Sequence, residues 1–207
     1  MHSKALVLID IQNDFCPGGS LAVPDGDQVI SIANRMQKHF ELIVATQDWH
    51  PANHGSFAAN HKDKTPGQVI DLHGLEQVLW PVHCVQDSRG AQFVDELDME
   101  RVAQVFQKGT NPDIDSYSGF YDNDHRQSTG LTDYLRQQGV EDIYVMGLAT
   151  DYCVKFTALD AIGDGFRVYL ISDGCRAVEL QPGDSAAAIE AMRSGGAAII
   201  NSGQIGT

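Results

Sequence analysis

The chain is short of cationic side chains: 14 lysines and arginines stand against 28 aspartates and glutamates, a formal net charge of −14. That balance repels phosphate backbones and anionic lipid surfaces, and argues against nucleic-acid and membrane partners. No apolar run approaches the length that crosses a bilayer. The opening MHSKALVLID lacks a signal-peptide pattern, because its apolar run is short and stops at an aspartate. Cysteine is scarce as well: Cys16, Cys84, Cys153 and Cys175 are widely separated, with no C-x-x-C pair. A disulfide framework is therefore not expected, and a reducing, cytoplasmic setting is. No G-x-G-x-x-G or G-x-x-x-x-G-K follows an apolar run, which weakens a nucleotide-binding reading. Repeats, low-complexity tracts and linkers are missing too, so residues 1–207 are read as one domain.

What is present is an alternation of short apolar runs with amphipathic stretches. Lys4–Ile9, Leu42–Thr46, Arg101–Phe106, Ile143–Leu148, Phe166–Ile171 and Ala197–Ile200 read as strands. Helical spacing marks Gln28–His39, Gln127–Gln138, a segment from Thr150 and Pro182–Ser194. The alternation predicts an α/β fold, a three-layer α/β/α arrangement around a central, mostly parallel sheet of about six strands. Between Asp48 and the third strand lies a long segment, read as irregular, with five histidines: His50, His54, His61, His73 and His83. Loops of such length are functional or disordered, and Trp49, Phe57 and Trp80 argue against disorder.

In an open α/β sheet, ligands gather beyond the carboxyl ends of the strands. Asp10, Lys108 and Cys153 each end or follow an apolar run, so the sheet would bring them to one rim. With Thr150 as N-cap, Cys153 falls in a first helical turn, where free N–H groups and the helix dipole favour a thiolate. Lysine's charge favours it further, and an aspartate can take the thiol proton and return it to a leaving group. The plainer alternative is an Asp10–Lys108 ion pair beside a buried, inert cysteine. Asp48 and His50, two apart in an extended segment, point the same way. With His54 or His83 they make a two-histidine, one-carboxylate set that suits iron(II), zinc or manganese. His61 and His73 are read as solvated or bonded to backbone.

LVLIDIQNDFCPGGSLAV, TQDWHPANHGSFA, WPVHCV, FQKGTNPDIDSYSGFYDN and GLATDYCVKFTALDA, in that order, resemble the motifs of bacterial nicotinamidases (pyrazinamidases). These belong to the cysteine-hydrolase superfamily that also contains isochorismatases. The resemblance implies the isochorismatase-like hydrolase fold. It also implies hydrolysis of nicotinamide to nicotinate and ammonia through a Cys153 thioester, in salvage toward NAD, with pyrazinamide as a second substrate. Asp10, Lys108 and Cys153 match the catalytic triad. Asp48, His50 and His83 match the ligands of one divalent metal ion, zinc, iron or manganese, and His54 matches a position that ligates in only some members. Phe15, Trp80, Tyr121 and Leu148 match the substrate wall. The Leu148–Ala149 bond matches a cis peptide, with the N–H groups of Ala149 and Cys153 as the oxyanion hole. The implied partner is a small molecule, and a homo-oligomer is compatible. Rival readings are another isochorismatase-like amidase or hydrolase, which the metal set disfavours for vinyl-ether hydrolysis, and a metal- or thiol-binding protein without enzymatic activity.

Overall fold

A computed structural model describes residues 3–206. In chain order the elements are β1 (Lys4–Ile9), α1 (Gln28–Met36), β2 (Leu42–Asp48), β3 (Val69–Leu72), β4 (Leu75–Val78), β5 (Gln104–Lys108), α2 (Leu131–Gln137), β6 (Asp142–Leu148), α3 (Lys155–Gly163), β7 (Arg167–Arg176), α4 (Asp184–Gly195) and β8 (Ala198–Ile200). Strands covered on both faces are apolar throughout rather than alternating, which is why β1 and β2 are buried along almost their whole length. They sit at the middle of a six-stranded sheet, ordered β5-β2-β1-β6-β7-β8, in which every pairing is parallel. Helices flank it: α1 packs on β6 and β7, while α3 and α4 pack on each other and against β7 and β8. The Phe106 and Tyr134 rings, 5.4 Å apart, hold α2 to β5. Among the described residues no helix is long and apolar enough to cross a membrane.

From β1 the chain passes to one side for β2 and β5, then crosses to the other for β6. That reversal opens a crevice beyond the carboxyl ends of β1, β2, β5 and β6. Gly147 makes the close approach possible there, since a Cβ on it would meet the Ile9 carbonyl oxygen at 2.2 Å.

Several boundaries differ from the sequence expectation, and each has a local cause. β5 lies later than Arg101–Phe106, because its register sets Gln104–Lys108 against Val44–Asp48, which places Lys108 inside the sheet. Its glutamines are exposed on an edge strand that hydropathy alone reads poorly. α2 starts at Leu131 rather than Gln127, since Gly130 adopts a left-handed φ of 89° and Ser128 bridges to Tyr121. The histidine-rich segment is not irregular throughout: β3 and β4 pair antiparallel, turning at His73 and Gly74. Thr150–Val154 is a wide π turn, so Cys153 precedes the α-helix instead of lying in its first turn.

Candidate active site

The crevice gathers three buried groups from three strand ends. Asp10 follows β1 with a left-handed φ of 48°, and its Oδ1 accepts a 2.6 Å hydrogen bond from Thr46 Oγ1. Lys108 Nζ lies 2.9 Å from Asp10 Oδ2 and donates to Cys153 Sγ at 3.4 Å and to the Ser116 carbonyl at 3.0 Å. It also contacts Asp48 Oδ1. Burial alone would discharge the lysine, but Asp10 and Asp48 outweigh it and hold the ammonium charged. Burial, opposed by Lys108 and aided by Asp48, raises the Asp10 carboxyl above its ordinary value. Burial also pushes the Cys153 thiol well up, with Lys108 pulling the other way. A buried thiolate loses its hydration, so burial here opposes the thiolate that the sequence position and Lys108 favour. Asp10, which shares Lys108 with Cys153, is the carboxyl within reach of the sulfur.

The other cysteines lack such company. Burial lifts Cys16 to about 11 and Cys175 to about 12, and the Cys84 amide N–H, not its sulfur, meets the Asp14 carboxylate at 2.7 Å.

Beside the triad, Asp48, His50 and His83 turn donor atoms toward one point. His50 Nε2 lies 3.5 Å and His83 Nε2 3.9 Å from Asp48 Oδ2. Each ring binds a backbone carbonyl through Nδ1, His50 to Gly109 and His83 to Pro81, both at 2.8 Å. Carbonyl partners require a proton on Nδ1. Against burial, Asp48 raises His50 above its ordinary value, and an ion held between the rings would take Nε2 in place of a second proton, the arrangement metal-binding histidines use. Burial and the neighbouring His50 bring His83 down to about 4, so it is neutral at ordinary pH. Burial opposes ionisation of Asp48, but Lys108 and His50 prevail and hold it well below the carboxylate range. Three buried donors with fixed tautomers and mutual reach fit a divalent ion. Gly109 is needed behind His50: its φ is +64°, and a Cβ there would meet His50 Cε1 at 2.3 Å.

His54 stands apart from this set and groups with His50 and Asp115. Its Nδ1 bonds Ser56 Oγ at 2.7 Å, and its buried Nε2 has no partner. His61 binds the Gly55 carbonyl, and His73 is exposed at the hairpin turn. Sequence reading overlooked Gln12, whose amide accepts from the Asp48 N–H and donates to the Asp48 carbonyl, both at 2.8 Å. It continues strand-like pairing one step past the end of β1 and fixes the backbone that carries Asp48.

A small cavity opens on Cys153 and the histidines, walled by Phe15, Trp80, Tyr117, Tyr152 and Ala149. Tyr121 is not part of this wall. Its hydroxyl meets both Asp164 oxygens at 3.1 Å and its ring stacks on His125, because Ser116 Oγ ties the Tyr121 carbonyl inward and turns the side chain out. Tyr117, four residues earlier in the same YSGFY motif, takes the wall position instead. Leu148 is packed in the core, and Ala149, joined to it by a cis peptide, faces the cavity. Tyr152 and Asp115 are lining residues that hydropathy gave no reason to choose.

The fold and site are those of an α/β enzyme whose parallel sheet presents a carboxyl, an ammonium and a thiol at its strand ends. The chain belongs to the isochorismatase domain family, which matches residues 4–204. It is 54% identical to the nicotinamidase of Escherichia coli over 205 residues, covering 96% of this chain and 95% of that one. Among solved structures it superposes on the Acinetobacter baumanii nicotinamidase/pyrazinamidase with a TM-score of 0.95, at 45% identity and with 99% and 98% of the two chains covered. The Pyrococcus horikoshii pyrazinamidase in complex with zinc matches with a TM-score of 0.79 at 40% identity, covering 96% and 99%.

Proposed function

We propose that this protein hydrolyses nicotinamide to nicotinate and ammonia. The observation that carries the reading is the meeting of Cys153 Sγ, Lys108 and Asp10 in one cavity with the Asp48, His50 and His83 donors. Overall similarity to the E. coli and A. baumanii nicotinamidases supports the substrate.

Phe15, Trp80, Tyr117 and Tyr152 hold the pyridine ring between apolar faces. Cys153 attacks the carboxamide carbon while its proton passes to Asp10. Lys108, charged in the resting site, steadies the sulfur and the Asp10 carboxylate during the transfer. The N–H groups of Ala149 and Cys153 receive the oxyanion, one such donor being worth about 3 kcal/mol of barrier. Asp10 then protonates the departing amine, ammonia leaves, and a thioester remains on Cys153. Water, deprotonated by Asp10, hydrolyses the thioester and frees nicotinate. Asp48, His50 and His83 would hold a divalent ion, which would supply Lewis acidity beside the substrate ring, and zinc is favoured by its presence in the P. horikoshii relative. Pyrazinamide, with the same carboxamide on a similar ring, is a second substrate. A cytoplasmic location suits four cysteines that are all free.

The deciding experiment is ammonia release from nicotinamide by the metal-replete protein, beside Cys153→Ala. Turnover by the parent and none by the variant is expected. Equal release by both would remove Cys153 as nucleophile, and turnover of isochorismate alone would replace the substrate.

A further inference from the structure

Hairpin β3–β4 meets the rest of the molecule through two buried side chains, Leu72 and Gln77. Leu72 closes over Gly55. Gln77 is the odd one: an uncharged polar side chain, 2% exposed, at a position where burial ordinarily selects an apolar residue. Its amide nitrogen lies 3.0 Å from Asp115 Oδ2, 3.1 Å from the Tyr117 hydroxyl and 2.7 Å from the Val78 carbonyl. The Tyr117 oxygen also accepts from Trp80 Nε1 at 3.2 Å. Asp115, Tyr117 and Trp80 all line the cavity, whereas Gln77 does not. One side chain behind the wall therefore ties together three that form it.

We infer that Gln77 is a positioning residue for substrate recognition: it orients Tyr117, and through it Trp80, so that their rings present a preformed slot to the substrate ring. The inference rests on the nicotinamidase reading for the identity of that ring. Removing the amide leaves Asp115 Oδ2 without its hydrogen bond from Gln77, and releases Tyr117 from one of its two donors. Both rings then gain freedom that binding must remove again, a cost that falls on capture of the substrate. Gln77 makes no direct hydrogen bond to Asp10, Lys108 or Cys153 among the described residues, so its first effect falls on the wall.

The test is steady-state kinetics on nicotinamide with Gln77→Met, which keeps the length and deletes the donors, and with Tyr117→Phe, which keeps the ring and deletes the hydroxyl. KM is expected to rise about tenfold in each with kcat within threefold of the parent, and the double variant to be no worse than the poorer single one. An unchanged KM in Gln77→Met overturns the inference, as does a fall in kcat at constant KM, the mark of a merely smaller folded fraction. If Gln77→Met does not fold, Tyr117→Phe decides by the same criterion. A second readout needs no turnover: the chain has two tryptophans, so nitrogen-labelled protein gives two indole N–H signals. The Trp80 signal is expected to shift and exchange at least tenfold faster in Gln77→Met, and an unmoved signal overturns the inference. Failure of the parent to hydrolyse nicotinamide would sink the substrate reading and leave the indole signal to judge Gln77.

Discussion

Lys108 and Asp48 are register partners on adjacent parallel strands, and their side chains touch. The cation beside Cys153 is thereby joined directly to a member of the candidate metal-donor set. The same ammonium lies 2.9 Å from Asp10 and 3.4 Å from Cys153. One buried positive charge thus holds two carboxylates and a sulfur in place, and its removal acts on all of them.

Lys108→Ala accordingly leaves two buried carboxylates without their cation. Deleting one partner of a buried ion pair costs about 3 kcal/mol or more. The expected outcome is a lower thermal midpoint together with a fall in kcat/KM of at least about a hundredfold, the scale of acid–base assistance lost. A variant of parental stability and activity would show that the Asp10–Lys108 contact is incidental.

The pH profile follows from the direction of the Asp10 shift. Burial raises its carboxyl above the ordinary value of 3.8, so the proton is held to higher pH than in an exposed aspartate. The base is usable only when ionised, hence kcat/KM should fall as pH drops through that raised value. An acid limb centred above the ordinary aspartate value is the expected result. A limb at or below the ordinary carboxylate range would assign the base elsewhere.

Gly109→Ala tests the support behind His50. A left-handed φ costs a residue with a side chain about 1–2 kcal/mol, and the new methyl would press on the imidazole. Displacement of His50 should lower the content of divalent metal, measured by elemental analysis, and activity with it. Asp48→Ala and His50→Ala should lose the ion outright, and acidification should release it as protons compete for the histidine nitrogens. Full metal content in all three variants would dissolve the donor set.

Tyr121→Phe serves as the contrast to Tyr117→Phe. The hydroxyl of Tyr121 bonds Asp164, away from the cavity, so its loss should cost about 1 kcal/mol of stability. KM for nicotinamide should stay within twofold of the parent. A tenfold rise would return Tyr121 to the substrate wall.

The sheet and the rim were readable because β1, β2 and β6 are buried on both faces and so appear as compact apolar runs ending in functional residues. Asp10 and Asp48 mark such endings directly. The edge strand β5 was harder, since its exposed glutamines break the pattern and only pairing with β2 fixes where it lies. The choice between Tyr117 and Tyr121 was beyond periodicity. It depends on the fold-back that joins the Asn123 N–H to the Asp115 carbonyl at 2.8 Å and turns one ring in and the other out. Gln12 and Gln77 escaped notice for a similar reason. A glutamine carries no charge, metal affinity or nucleophilicity, and its use shows only when its partners are seen.

Asp10, Lys108 and Cys153 ride on the tips of β1 and β5 and the turn after β6, while His50, Trp80 and His83 belong to the connection between β2 and β5. Part of the wall thus comes from a stretch of polypeptide that carries none of Asp10, Lys108 and Cys153, while Phe15, Tyr117 and Tyr152 complete it beside them. Exchanging that connection for another would therefore reshape one side of the cavity and remove His50 and His83, while Asp10, Lys108 and Cys153 kept their places on the sheet.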